Sequence, residues 1–374
     1  MKPIKRRKFI KITGTLAAGS ALAGCSGFRS RSDVRDLAKI PITRKVIDTH
    51  LHVVAETVDR CIRVMDDNYI QYGINIGIGG DEFIKFINAI KDKKDRLGAM
   101  YRFDWSLWQK DTEFPEKAPE MLERAIEAGA LGVKLFKELG LKVRDHDGKL
   151  VKIDDPRLFP IWEKAEQLNT IVAIHATDPV AFFETWNPEN ERWEELELHP
   201  EWSFADRDRY PVKDLVLEQR NNVIRTFKNI NFQCAHVGNY SENLELVDQW
   251  LDEMPNMFLD LSARFGELGR HPAEEGKGFF TKHQDRLMFG TDRVFRIDGD
   301  VQGAGPKKIF SPEEDNRFYE SHWRYLQTTD TQFDHPTPIQ GKWKIDGIGL
   351  PENILKKIYW DNAYKLYNIQ QFGV

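Results

Sequence analysis

Eight short apolar segments, separated by amphipathic helical patterns, constrain the fold of this chain more than any other feature of its sequence. The helical patterns include 118–128, 158–167 and 243–254. Strands that alternate with helices favour a parallel sheet, because each helix returns the chain to the same end of the sheet. Eight such units over about 245 residues predict a (β/α)₈ TIM barrel. The candidate strands are 45–52, 74–78, 97–103, 132–136, 170–175, 231–236, 257–261 and 286–289.

The competing architecture is a doubly wound open sheet, which also alternates strands and helices. Sheets of that kind usually carry a Gly-rich phosphate turn after the first strand. Here Asp48-Thr49-His50 occupies that place, so the sequence favours the barrel. A final amphipathic segment at 350–367 is expected to form a helix that closes the barrel.

Two long segments, 176–223 and 293–348, follow the predicted strands 5 and 8. Both leave the carboxyl end of a strand, where barrel enzymes build their active sites. Loops of this length are usually either functional or disordered. Because these two are rich in tryptophan and tyrosine, we expect them to be ordered and to form walls of a pocket or the interface of a homo-oligomer.

The first 24 residues have the composition of an export signal. Six basic residues and no acidic residue precede Cys25, and a short apolar run separates them from it. The arginine pair at 6–7, followed by Phe9, resembles a twin-arginine signal, although Lys5 stands where that pattern has serine. Residues 22–25 resemble a bacterial lipobox, which implies a lipid anchor on Cys25 and export to the periplasm or cell envelope. The alternative is an ordinary signal in which Cys25 is incidental.

We therefore divide the chain into a signal segment at 1–24, a polar tether at 25–41 and one folded domain at 42–374. Without the signal segment the chain has 48 basic residues against 59 acidic residues. A net charge of about −11 excludes the basic surface that nucleic-acid binding requires, and the anchor would be the only contact with a membrane. Cys61 and Cys234 lack the spacing of a disulfide framework, so we expect two small buried side chains.

Histidine and aspartate side chains occur at the carboxyl ends of the predicted strands. His50 and His52 end strand 1 with i, i+2 spacing, so both side chains point to the same side of the sheet. His175 ends strand 5, His236 ends strand 6 and Asp292 follows strand 8. Any one of these could be a satisfied polar residue, but the other six histidines fall in loops or polar helices. Their convergence predicts a divalent metal site.

Four motifs carry these residues: Asp48-Thr49-His50-Leu51-His52, Ile174-His175-Ala176, Ala235-His236-Val237-Gly238-Asn239 and Phe289-Gly290-Thr291-Asp292. Together they resemble the amidohydrolase superfamily, in the amidohydrolase-related branch that includes the aminocarboxymuconate-semialdehyde decarboxylases. The resemblance covers roughly 45–292 and the closing helix, and it implies a TIM barrel with one divalent ion, usually zinc. The implied metal ligands are His50, His52, His175 and Asp292.

The same resemblance implies the catalytic roles. The metal would lower the pKa of a bound water and polarise a carbonyl oxygen. Asp292 would accept a proton from that water and pass it to the leaving group, because a carboxylate beside a cation stays ionised. His236 would lie beside this water and polarise or protonate the substrate.

Two basic residues are candidates for contact with an anionic substrate. Lys134 lies in strand 4, where two-metal relatives use a carboxylated lysine to bridge their ions and single-metal relatives keep a lysine that could bind an anion. It could also reach solvent past the strand end. Arg264 follows strand 7 and is either an anion contact or an ion-paired surface residue. The motifs at strands 1 and 8 resemble the single-metal branch, so we expect one ion per chain.

Three functions are compatible with this sequence. The first is a metal-dependent hydrolase of a small-molecule lactone, ester or amide. The second uses the same site for non-oxidative decarboxylation of a carboxylic acid or hydration of an unsaturated acid. The third is a lipoprotein that binds a ligand without catalysis, which the presence of both His236 and Asp292 disfavours. Lys134 and Arg264 allow carboxylate recognition but do not separate hydrolysis from decarboxylation.

Overall fold

A computed structural model describes residues 45–374 of the chain. The predicted signal segment, Cys25 and the tether lie outside the described residues and stay predictions. Within 45–374, no helix is both long and apolar enough to span a membrane. Cys61 and Cys234 are both buried free thiols, as the sequence predicts.

The described part of the chain forms a parallel sheet of nine strands, in the order β8-β7-β6-β5-β4-β3-β2-β1-β9. Each predicted strand is present, and β2 begins four residues earlier than its pattern indicated. The strands are β1 Val46–Val53, β2 Ile70–Ile78, β3 Leu97–Arg102, β4 Gly132–Leu135, β5 Ile171–Ile174, β6 Phe232–Cys234, β7 Met257–Asp260, β8 Leu287–Met288 and β9 Arg293–Phe295. A separate antiparallel pair joins β10 Phe333–Asp334 to β11 Lys344–Ile345.

The sheet closes because β8 and β9 belong to one bent stretch of chain. β8 pairs with β7, whereas β9 pairs with β1. Between them, the backbone N–H of Thr49 donates to the carbonyl of Phe289 at 3.0 Å, and the N–H of Asp292 donates to the carbonyl of His50 at 2.9 Å. The eighth strand of the barrel therefore contacts both its neighbours, and the predicted TIM barrel is confirmed.

Seven of the helices follow β1 to β7 in turn and cover the outside of the barrel. Each buries an apolar face against the sheet, as expected for barrel helices. These seven are Val58–Asp67, Gly80–Ala89, Phe114–Glu127, Phe159–Gln167, Lys213–Thr226, Leu244–Glu253 and Ala273–Lys282. Further helices are Trp193–Leu198, Phe265–Leu268 and Pro312–Gln327. Short 3₁₀ helices are Ala55–Thr57, Trp105–Gln109, Pro156–Leu158, Val180–Phe183, Pro200–Trp202, Pro338–Gln340 and Ile369–Phe372.

The predicted closing helix forms at the amino-terminal end of the strands. It runs without a break through Glu352–Lys356, a π-helical turn at Lys357–Asp361, and Asn362–Leu366. The Asn362 side chain donates hydrogen bonds of 2.8 Å to the carbonyls of Gln284 and Leu287, at the start of β8. Tyr367 then packs into the apolar interior of the barrel. This end of the barrel is therefore closed, and the carboxyl end is left for the site.

Candidate metal centre

A cavity of about 540 Å³ opens at the carboxyl ends of the strands. All five residues predicted as metal or catalytic groups line it, together with side chains of both long insertions. A larger cavity of about 1040 Å³ lies at the opposite end of the barrel, beside the closing helix. None of the predicted site residues lines that second cavity, so the smaller cavity is the candidate site.

Three of the predicted metal ligands converge on one point. The Oδ1 atom of Asp292 lies 3.0 Å from Nε2 of His52 and 3.5 Å from Nε2 of His50. One donor atom from each of the three lies within 4.8 Å of the other two. Two imidazole nitrogens and a carboxylate oxygen are a donor set that suits a divalent transition metal with an open coordination position. The residues present therefore fit the ion that the sequence predicts.

Asp48 fixes the position of Asp292 relative to β1. The carboxylate of Asp48 accepts hydrogen bonds from the Thr291 hydroxyl at 2.6 Å and from the backbone N–H of Thr291 at 3.1 Å. Burial raises the pKa of Asp48 to about 7. Asp292, which follows Thr291 in the sequence, has a φ of 61°. Aspartate tolerates this left-handed conformation better than most residues do. This bend turns the Asp292 carboxylate towards the two histidines.

His50 is held from behind by a buried carboxylate. Its Nδ1 atom lies 3.0 Å from Oδ2 of Asp260, the last residue of β7, and 2.8 Å from the hydroxyl of Ser262. Burial alone would raise the pKa of Asp260. The neighbouring His50 and the hydrogen bonds that the Asp260 carboxylate receives instead hold this pKa far below its ordinary value. An ionised Asp260 can only accept, so Nδ1 of His50 carries the proton and Nε2 is free to bind a metal.

The carboxylate of Asp292 is also ionised. Burial would raise its pKa, but His50 and His52 lie against it and hold the pKa well below the usual range. Burial lowers the pKa of His52 as well. A neutral imidazole and an ionised carboxylate are the protonation states that metal binding requires.

His175 lies beside this cluster without joining it. Its ring centre is 4.4 Å from that of His236, but its Nε2 atom faces Oδ1 of Asp178 at 3.3 Å. The other carboxylate oxygen of Asp178 accepts a hydrogen bond of 2.6 Å from Lys137. Burial lowers the pKa of His175 to about 3, so the ring is neutral at physiological pH. The structure thus brings His50, His52 and Asp292 together and leaves the fourth predicted ligand at their edge.

His236 does not end a strand as predicted, because β6 stops at Cys234. It lies in a turn, Ala235–Gly238, in which His236 and Val237 have φ values of 57° and 56°. Left-handed residues with a Cβ cost about 1 kcal/mol or more each, and buried contacts offset this cost. Arg220 donates to the Gly238 carbonyl and Lys213 donates to the Asn239 carbonyl.

A backbone carbonyl outside the turn fixes the proton on His236. Its Nδ1 atom is 2.9 Å from the carbonyl of Ser262, which can only accept a hydrogen bond. Nδ1 therefore carries the proton and Nε2 has a free lone pair. Burial holds the pKa of His236 well below its ordinary value. The geometry suits a neutral base or hydrogen-bonding group beside the cluster.

The two basic candidates differ in their surroundings. Lys134 is 1% exposed and does not line the cavity, and its Nζ has no hydrogen-bond partner among the described residues. Burial lowers its pKa to about 8, and the alternative that it reaches solvent is wrong. Arg264 is buried, lines the cavity and donates to the Ala263 carbonyl at 2.6 Å. The alternative of an ion-paired surface arginine is therefore also wrong.

Sequence reasoning missed several residues of the site. Asp260 could have been found, because an apolar strand that ends in a carboxylate is the same signal that identified His50 and His52. Lys137 and Asp178 lie in loops, and no local pattern marked them. His199, assigned to a loop or polar helix, also lines the cavity.

Comparison with known proteins agrees with this arrangement. The amidohydrolase family model, Amidohydro_2, matches residues 47–369, which is most of the chain. The chain therefore belongs to the amidohydrolase family, whose enzymes are metal-dependent. No curated protein matches the chain.

Solved structures of low sequence identity have a similar fold. The 2,6-dihydroxybenzoate decarboxylase from Rhizobium has a TM-score of 0.52 and 14% identity, with 87% of this chain and 99% of that chain covered. A dihydroxybenzoic acid decarboxylase from Polaromonas sp. JS666, with bound manganese and 2-nitroresorcinol, has a TM-score of 0.52 and 13% identity, with 87% and 97% covered. At these identities the likeness concerns the fold alone.

Proposed function

We propose that this protein is a metal-dependent hydrolase of a lactone, ester or amide, with an anionic small molecule as substrate. The observation that carries the proposal is the convergence of His50, His52 and Asp292 on one point of an open cavity. Membership of the amidohydrolase family supports it.

The proposed metal ligands are His50, His52, His175 and Asp292, with one ion per chain. We propose zinc, although the similar decarboxylase from Polaromonas was solved with manganese. The alternative is a two-metal site with a carboxylated Lys134. The Nζ of Lys134, which is buried and has no hydrogen-bond partner within residues 45–374, is the observation that keeps this alternative open.

A divalent ion at this site would lower the pKa of a water and polarise a carbonyl oxygen. The ionised carboxylate of Asp292 is the proposed base that accepts the proton and delivers it to the leaving group. His236 presents the lone pair of Nε2 to the substrate. Arg264 is the proposed contact for a substrate carboxylate, because a guanidinium matches the geometry of that group.

Non-oxidative decarboxylation of an aromatic acid is the second candidate. Two similar structures are decarboxylases of dihydroxybenzoic acids. The cavity is also lined by aromatic side chains, including Phe136 and Trp202. Such rings would pack against an aromatic substrate while Arg264 or the metal binds its carboxylate.

A substrate screen separates the two reactions. The metal-loaded protein is incubated with lactones, amides and aromatic acids while acid release and carbon dioxide release are both measured. Acid release from a lactone, ester or amide supports the hydrolase, and carbon dioxide release from an aromatic acid establishes the decarboxylase. In either case Arg264→Met should raise KM by about tenfold or more at unchanged metal content.

We also propose that Cys25 carries a lipid anchor that holds the enzyme at the outer side of a bacterial membrane. The support is the sequence at 22–25, and the twin-arginine-like signal suits an enzyme that is loaded with metal before export. The Cys25→Ala form should move to the soluble fraction on membrane fractionation. A variant that stays as firmly bound as wild type would exclude the anchor.

A further inference from the structure

A chain of buried polar groups runs through the barrel from the closing segment to the metal cluster. The hydroxyl of Tyr367 donates to Oε1 of Gln233, and Nε2 of Gln233 donates to Oδ2 of Asp260 at 2.7 Å. The same Oδ2 lies 3.0 Å from Nδ1 of His50. All four residues are at most 3% exposed, so water does not compete for these hydrogen bonds.

The directions of the hydrogen bonds made by Gln233 are fixed by chemistry. The amide nitrogen of Gln233 faces the Asp260 carboxylate and the carbonyl of Thr49, both of which can only accept. Its amide oxygen must therefore face Tyr367, which donates. These hydrogen bonds consequently hold in place the Asp260 oxygen that faces His50.

Because the hydroxyl of Ser262 also contacts Nδ1 of His50, two tautomers of His50 are possible. The Ser262 hydroxyl donates to Oδ1 of Asp260 and also lies 2.8 Å from Nδ1 of His50, to which it could donate instead by rotating away from Asp260. The proton of His50 would then be on Nε2, and this nitrogen could not bind a metal. Asp260 opposes this tautomer only while its Oδ2 atom is held in place.

Asp260 has unequal support at its two oxygens. Oδ1 accepts from the backbone N–H groups of His236 and Ser262, both at 3.1 Å, and from the Ser262 hydroxyl. Apart from His50, Gln233 is the one side chain in the described part of the protein that donates to Oδ2. Loss of Gln233 would leave Asp260 in place and weaken its hold on His50.

We propose that Gln233 and Tyr367 are positioning residues, which orient Asp260 and thereby keep the proton of His50 on Nδ1. The consequence for metal affinity rests on the proposed function, whereas the tautomer of His50 does not. The closing helix is thereby coupled to the metal centre through the barrel interior.

Nitrogen NMR of the metal-free protein, labelled with ¹⁵N-histidine, tests the proposal. The His50→Gln protein assigns the His50 signals. Wild type should show His50 protonated at Nδ1, and both Tyr367→Phe and Gln233→Met should shift it towards the Nε2 tautomer. Tyr72→Phe is the matched control, because Tyr72 packs in the same interior cluster and its hydroxyl has no hydrogen-bond partner in the described residues.

Zinc affinity, measured by competition with a chelator, is the second readout. Gln233→Met should weaken binding by about 10- to 100-fold, as is typical for a group that supports a metal ligand, and Tyr367→Phe by a smaller factor. Tyr72→Phe should bind zinc as wild type does. If Tyr367→Phe and Gln233→Met keep the wild-type tautomer, the proposal is wrong.

The two proposals fail in different ways. A tautomer shift in a protein that binds no metal would overturn the proposed function and support the positioning role. Tyr367→Phe removes a single oxygen atom, so this variant decides the question even if Gln233→Met does not fold.

Discussion

The two walls of the metal cavity are built by different means. The strand wall consists of His50, His52 and Asp292, at the ends of β1 and the bent eighth strand, and of Asp260 of β7, which supports His50 from behind and does not itself line the cavity. Buried hydrogen bonds between neighbouring strands hold the side chains of His50 and Asp260, and a backbone hydrogen bond to His50 holds Asp292. The barrel backbone thus fixes where the strand wall places its donors.

The loop wall consists of Lys137, Asp178, His199 and Trp202. Lys137 Nζ lies 4.4 Å from the ring centre of Trp202, and the Trp202 ring stacks on His199 at 3.9 Å. His199 also contacts the carbonyl of Ala304 at 3.1 Å, which joins the two long insertions. The loop wall therefore depends on one ion pair and on ring contacts between loops.

This difference indicates a division of labour. We expect the strand wall to hold the metal and the reacting groups, because the barrel fixes their positions to a fraction of an ångström. The loop wall is expected to shape the substrate pocket, since its residues can change without disturbing the barrel. His175 lies at the boundary, because it follows β5 and contacts Asp178 of the loop wall.

The largest expected effect concerns His236, whose turn is hydrogen-bonded to the strand wall. His236→Ala should lower turnover by about 10² to 10⁴-fold, as is typical for a group that moves or polarises a proton, and should keep its metal. Metal content and rate must be measured on the same preparation. In the two-metal alternative His236 would itself be a ligand, so a loss of half the metal alongside activity would contradict the single-metal division of roles.

A second effect is expected when the ion pair of the loop wall, between Lys137 and Asp178, is removed. Lys137 and Asp178 are 5% and 3% exposed, so Lys137→Met leaves a buried carboxylate without its cation. We expect the free energy of unfolding to fall by about 3 kcal/mol, measured by urea denaturation. The double variant Lys137→Met, Asp178→Leu should recover most of this loss, and a double variant as unstable as the single one would contradict the assignment.

A smaller effect is expected where the second insertion packs on the barrel. His322, in helix Pro312–Gln327, contacts the rings of Phe265, Phe289 and Phe318, and burial lowers its pKa to about 3. The unfolded chain therefore binds more protons between pH 6.5 and 3, so stability falls as the pH falls through this range.

Between pH 8 and pH 5, the lowered pKa of His322 should reduce the free energy of unfolding by about 2 kcal/mol, because protonation and folding are linked. Urea denaturation of wild type and His322→Phe at both pH values measures it. The phenylalanine variant should lose less stability at pH 5 than wild type does. Equal losses in the two proteins would show that another group carries the acid sensitivity.

The strand wall was largely predictable from the sequence, for a physical reason. Apolar runs such as Ile171–Ile174 identify buried parallel strands, and the two-residue period of a strand places His50 and His52 on the same side. The position of Asp292 followed from the motif after strand 8. The bend between β8 and β9 was not predictable, because it depends on hydrogen bonds from Thr291 to Asp48 of the neighbouring strand β1.

The loop wall could not be predicted in the same way. The contact between Lys137 and Asp178 joins two loops 41 residues apart, and no periodic pattern encodes such a contact.

The turn at His236 could not be predicted either. Its left-handed residues His236 and Val237 are not glycines, so the turn depends on Arg220 and Lys213. The burial of Lys134 likewise follows from the closed barrel and not from its neighbours in sequence.

The central claim is that the metal is held by the histidines of the strand wall and does not depend on the loop wall, and metal content tests it most directly. Wild type, His50→Ala, His52→Ala and His199→Ala are purified in the same buffer, and the metal in each is measured by mass spectrometry. We expect about one ion per chain in wild type and in the loop-wall control His199→Ala, and little metal in the two strand-wall variants, because an open site has few ligands to spare. Full occupancy in both His50→Ala and His52→Ala would contradict the account.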